Sequence, residues 1–170
     1  MAGRFFNKEK LQSGSALTVI MEGSRPIIVE VQALVSEAYG HPKRSSTGFD
    51  NNRLGMLLAL LEKKLDLPLG TYDVFINISG GIKINEPSAD LAIIAAILSS
   101  YRDRELSART LFLGEVSLTG EIREVPGLGQ RLKEIETQGF SKAVIPNRPN
   151  EDTAVKCFIA NEVSKIIEWL

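Results

Sequence analysis

The segment Pro87–Ser100 carries Leu91, Ile93, Ile94, Ala95, Ile97 and Leu98, and no other stretch constrains the fold as tightly. Proline suits the first turn of a helix, where its missing N–H leaves nothing orphaned, and a helix that is apolar on most sides is stable only when other elements cover it. This helix is therefore predicted to be buried, with Ile94 in the core. The rest of the chain has to supply the covering layers.

It has the material to do so. A chain of 170 residues that is 44% hydrophobic and 24% charged suits one globular core. The first dozen residues, with Lys8, Glu9 and Lys10 and no sustained apolar period, read as a tail or linker (1–12) before a domain over 13–170. Two β-branched runs, SALTVIM and PIIVEVQALV, flank Glu22-Gly23-Ser24-Arg25 and predict a hairpin. Ser36–Asp50, rich in Ser, Gly and Pro, reads as a long exposed loop with a basic tip at His41, Lys43 and Arg44.

Asp50 is placed to cap a helix from Asn51 to Leu65, because Leu54, Leu57, Leu58, Leu61 and Leu65 recur at helical spacing. Asp73–Ile78 reads as a strand broken by Gly80-Gly81, with Ile82 and Ile84 as a possible continuation of the sheet. Short strands in TLFLGEVSLTGEIREV turn at Gly114 and Gly120. A helix from about Gly129 to Gln138, strands at Ala143–Ile145 and Lys156–Ile159, and a terminal helix ending at Leu170 follow. Strands first, then helices alternating with strands, predict an α+β fold whose mixed sheet carries helices mainly on one face.

Charge and cysteine content set limits on function. With 20 basic and 21 acidic residues the chain lacks the overall positive charge that announces a nucleic-acid binder, so any such surface is local. Cys157 is the single cysteine and His41 the single histidine, so no Cys/His zinc cage and no intramolecular disulfide is expected, and a reducing cytoplasm fits best. No apolar run reaches the roughly 20 residues of a membrane span, and MAGRFFNKEK has no apolar signal core; neither secretion nor membrane insertion is expected. A phosphate loop, HExxH and CxxC are absent, and Gly127-Leu-Gly129 lacks the third glycine of a dinucleotide turn.

Two longer segments are more specific: GGIKINEPSADLAIIAAILSSYRDREL at 80–106 and FLGEVSLTGEIREVPGLGQRLKEIETQGFSKAVIP at 112–146. Both resemble the proteolytic domain shared by Lon proteases and the RadA (Sms) family of bacterial DNA-repair proteins. The wording EGSRPIIVEVQALVS and GFDNNRL, which Lon itself lacks, points to the RadA branch across Ser13–Leu170. The resemblance implies the Lon-type fold, of the kind also seen in domain 2 of ribosomal protein S5. It also implies a full-length protein with a four-cysteine zinc finger and a DNA-dependent ATPase motor. ATP, Mg and Zn would then belong to domains outside this chain.

The same resemblance defines a remnant active site. Lon-type proteases carry the nucleophilic serine in Pro-Ser-Ala-Gly, where this chain has Pro87-Ser88-Ala89-Asp90; aligning Gly114-Glu115, Gly120 and Gly127-Leu128 puts Gly129 where the general-base lysine belongs. A serine hydroxyl needs an adjacent base, so Ser88 is expected to be non-catalytic, with Lys133 one helical turn too far along to substitute. The implied role is a non-catalytic scaffold: a homo-oligomeric, hexameric ring holding DNA without sequence preference, with RecA as a possible partner of the full-length protein. Its DNA-contact candidates are Lys43, Arg44 and His41. Arg53 reads equally as a solvated face or an inter-subunit contact. The alternative function is a serine peptidase using Ser88 with an unconventional base.

Overall fold

In a computed structural model, residues 11–108 and 110–169 are described. A seven-stranded mixed sheet runs in the order β3-β4-β2-β1-β5-β8-β9, formed by β1 (Ser15–Glu22), β2 (Arg25–Glu37), β3 (Arg44–Thr47), β4 (Tyr72–Ile78), β5 (Thr110–Phe112), β8 (Lys142–Ile145) and β9 (Lys156–Ile159). The expected hairpin is the antiparallel pair β1–β2, in register from Ser15↔Gln32 to Glu22↔Arg25. A separate two-stranded ribbon joins β6 (Glu115–Val116) to β7 (Ile122–Arg123).

The helices are α1 (Asn51–Leu65), α2 (Asp90–Arg102) and α3 (Leu128–Thr137). Asp50 caps α1 by accepting from the Arg53 N–H, and Lys63 and Lys64 lie in its last turn, where cations suit the helix dipole. In α2 every residue from Asp90 to Ser99 is buried, Ile94 included. Alternation in β1 sends Ala16 and Ile20 into a core with α1 and α2, while Leu17 and Val19 join Leu132 and Ile135 of α3 in a second core. Two helices therefore share one face, and α3 packs on the other against β2 and β1. The expectation of helices mainly on one face holds for α1 and α2 and misses the layer that α3 makes.

Three local expectations are corrected. The segment Ser36–Asp50 is not one long loop: β2 continues to Glu37, and β3 adds as a parallel edge strand on β4, from Arg44↔Val74 to Thr47↔Asn77. Ile82 and Ile84 do not extend the sheet, because Gly80 and Gly81 take positive φ and turn the chain away; Ile84 N instead donates to Gly48 O at 2.7 Å. The terminal helix is a 3₁₀ segment, Val163–Trp169, and its expected end at Leu170 lies outside the described residues, as do residues 1–10 of the tail expected over 1–12. Leu11 is buried and its N–H donates to Leu106 O at 3.0 Å.

Candidate functional site

The site forms where two neighbouring strands part. β1 and β5 pair at the single register position Leu17↔Leu111, and beyond it two side chains bond the edge of β1. Arg131 Nη1 donates to Val19 O at 2.8 Å, and Met21 N–H donates to Glu86 Oε2 at 3.1 Å. Between them Arg131 Nη1 meets Glu86 Oε1 at 2.6 Å. Ser88 enters this pair directly: its hydroxyl donates to Glu86 Oε1, and its Oγ accepts from Arg131 Nη1 at 3.2 Å.

Local structure explains why these groups meet. Pro87–Ala89 form a 3₁₀ turn leading into α2, and Gly114 holds that turn from the ribbon side, its N–H donating to Ser88 O at 3.0 Å and its carbonyl accepting from Leu91 N at 3.1 Å. A Cβ at Gly114 would lie 2.5 Å from Ile122 Cγ2, so only glycine permits this approach. Arg131 comes from α3, where Leu128, Arg131, Leu132 and Ile135 fall at the spacing of one helix face. Its Nε also donates to Pro126 O at 2.9 Å. At 1% exposure the guanidinium meets the requirement of a buried charge, an ionic partner plus hydrogen bonds.

The electrostatics bear on reactivity. Burial pushes the Glu86 carboxyl up, but hydrogen bonds from Ser88, Arg131 and the Met21 N–H, with the Arg131 charge, outweigh it and hold the group below its ordinary value. A carboxylate so stabilised is a weak base, and a guanidinium has no acceptor. A second network flanks the first. Arg53 grips Asp90 with two bonds, Nε to Oδ1 at 2.7 Å and Nη2 to Oδ2, while Val116 N–H donates to Oδ2 at 3.0 Å. Burial dominates at Asp90 and raises its carboxyl, against the bonds from Arg53 and Val116. Arg53 is raised, first by its bond to Asp90.

Above Ser88 lies a cleft of about 420 Å³, open on one side and lined among others by Met21, Pro87, Glu115, Val125 and Pro126. Gly129 does not line it. It faces a neighbouring groove shared with Lys133 and Glu151, where a Cβ would lie 2.8 Å from Glu151 Oε2. The α3 side chain that reaches Ser88 is thus Arg131, which inspection of single motifs missed. A charged residue on an otherwise apolar helix stripe was the available signal.

The other candidates do not line this cleft. Lys43 and His41 are exposed, with the Lys43 N–H bonded to Asp73 Oδ1 at 2.6 Å. Arg44 is half-buried in β3 and used within the chain, Nη2 donating to Leu69 O at 2.5 Å and standing 3.9 Å from Glu62. Arg53 is engaged by Asp90 within the chain. Among the described residues no three His, Cys, Asp or Glu side chains gather as metal ligands, and no helix is long and apolar enough to cross a membrane.

The family described as subunit ChlI of Mg-chelatase matches residues 53–149, more than half of the chain, which belongs to it. A DNA repair protein RadA from Helicobacter pylori (strain 26695) is 59% identical over 167 residues, covering 98% of this chain and 37% of the relative. The chain belongs to the RadA family. Its RadA relative in Campylobacter jejuni is 58% identical over 170 residues, 100% of this chain and 38% of that protein, and the one in Bacillus subtilis is 47% identical over 135 residues. The chain spans little more than a third of the length of the Helicobacter pylori and Campylobacter jejuni RadA proteins. Within this RadA segment, buried Ser88 and Arg131 meet the half-buried Glu86 in one cluster, and Lys43 and His41 belong to a separate surface at the β3 edge.

Proposed function

We propose that this chain is a non-catalytic scaffold of a RadA-type DNA-repair protein. It has the Lon proteolytic-domain fold, assembles as a homo-oligomeric ring and positions DNA for a motor domain elsewhere in the protein. The observation that carries the reading is the bonding of Ser88: its proton points to a carboxylate held below its usual range, and its oxygen faces a guanidinium. Neither group takes up the proton as a general base must. A centre of this kind ties α3, β1 and the turn before α2 together, which suits a rigid ring subunit.

The relatives' name, DNA repair protein, supports the DNA role. Lys43 and His41 are the exposed contacts for phosphate, and phosphate contacts position a protein without reading bases. A hexameric ring, a cytoplasmic location, RecA as a partner of the full-length protein, and ATP, Mg and Zn in its other domains complete the reading. Sedimentation velocity of the purified chain with and without duplex DNA tests it. The expected result is a species near six-fold the chain mass that carries DNA of any sequence along. A monomer at every concentration, leaving DNA unbound, contradicts the scaffold.

A second reading has one specific observation in its favour. Glu86 accepts the hydrogen bond of the Ser88 hydroxyl and is the candidate among the described residues for an unconventional base, so a peptidase would lose all turnover of unfolded casein on Glu86→Gln. The scaffold reading expects no turnover by either protein.

A further inference from the structure

The cleft above Ser88 has an unbalanced charge. Arg131 pairs with Glu86, and Arg53 pairs with Asp90. The remaining ionic group on the cleft wall is Glu115, half-buried on β6: among the described residues no close ion pair or hydrogen bond holds its carboxylate, and the Arg53 charge that it feels at longer range is bonded to Asp90, so the group leaves a net negative charge. Arg123 stands opposite Glu115 in the ribbon register, but its guanidinium is directed at Glu121, with Nε 3.3 Å from Oε1. An unpaired, half-buried carboxylate beside Met21, Pro87, Val125 and Pro126 is a seat for a cation carried on an apolar stem.

We propose that this cleft binds the side chain of an arginine or lysine presented by a partner polypeptide. The charged head pairs with Glu115, the aliphatic stem lies along Met21, Val125 and Pro126, and the partner's backbone stays at the rim beside the exposed Gln130. At about 420 Å³ the space falls within the usual range of ligand pockets, roughly 300–1,000 Å³. Its floor is fixed in advance, because Ser88 and Arg131 are 2% and 1% exposed and bonded to each other, so little ordering is needed on binding. An anionic or purely apolar side chain gains nothing from Glu115. The proposal is independent of whether Ser88 reacts.

The test is an NMR titration of the whole chain with acetylated, amidated pentapeptides, Ala-Ala-Xaa-Ala-Ala, in which Xaa is arginine, lysine, norleucine or glutamate. The Met21 methyl and the Gln130 side-chain amide report occupancy. Saturable shifts for the arginine and lysine peptides are expected, with norleucine weaker by about fivefold, as loss of a partly exposed ion pair implies. Glu115→Gln, checked for an unchanged melting temperature, is expected to abolish that preference, and raised salt to narrow it in the wild type. Equal binding of arginine and norleucine overturns the proposal, as do shifts that fail to saturate at millimolar peptide and a preference that survives in Glu115→Gln. Spermidine binding as well as the arginine peptide would also overturn it, by making the site one for free amines.

Discussion

At the residue scale, Arg131 outweighs Ser88. Replacing Ser88 with Ala removes two hydrogen bonds, the one it donates to Glu86 and the one it accepts from Arg131, but Glu86 keeps Arg131 and the Met21 N–H and Arg131 keeps Glu86 and Val19 O, so the loss is about 1–2 kcal/mol. Arg131→Met leaves Glu86 and the Val19 carbonyl without the guanidinium; because the Glu86 side chain is 23% exposed, the cost falls below the about 3–5 kcal/mol of a fully buried pair but above that of Ser88→Ala. Urea midpoints of the two variants measure the difference, and equal losses contradict the clamp. The pH dependence has a definite sign. Glu86 is held down in the fold, so its stabilisation is present above the unfolded-state carboxylate pKa and lost as pH falls through the folded value. Asp90 is raised and works in the opposite sense, its contribution present below the unfolded pKa and lost as pH rises through the folded one. The stability gap between wild type and Glu86→Gln, read from urea midpoints over an acid series, is therefore expected to close as pH falls; a constant gap contradicts the assignment. Ser88 was legible from its segment. Arg131 carries no motif, and its one signal in the sequence is its place among Leu128, Leu132 and Ile135, which marks it as a charge that must find partners.

Among the elements, what patterning could express was read well. Strong apolar periods gave α1 its bounds and α2 its burial, and the capping Asp50 fixed where α1 starts. The edge strand β3 was hidden because Arg-Ser-Ser-Thr has loop composition; it is a strand through its pairing with β4, a contact far along the chain. The divergence of β1 from β5, which creates the site, likewise has no local signature. Ile94→Asp tests the buried α2 directly. It places an unpaired carboxylate where exposure is zero and removes an apolar side chain, and the expected outcome is loss of the cooperative melt. A soluble variant melting near the wild-type temperature would show that α2 is not the centre of the core.

For the whole molecule, the two candidate surfaces separate. The Ser88 cluster forms the floor of its cleft, and the exposed Lys43 and His41 stand beside the β3 edge, where Arg44 is already committed to Leu69 and Glu62. If the ring holds DNA there, Lys43→Ala makes the logarithmic salt dependence of duplex binding shallower by about one unit per lost phosphate contact, leaving base preference unchanged. Anisotropy over a salt series measures it, and identical slopes remove Lys43 from the DNA surface. The central claim, that Ser88 is a member of a structural clamp and has no catalytic base, meets its most direct test in exposure of the native chain to a fluorophosphonate, followed by peptide mass mapping. The account predicts no adduct on Ser88 under conditions that fully label a working serine peptidase. An adduct on Ser88 in the folded wild type that disappears in Glu86→Gln would contradict it.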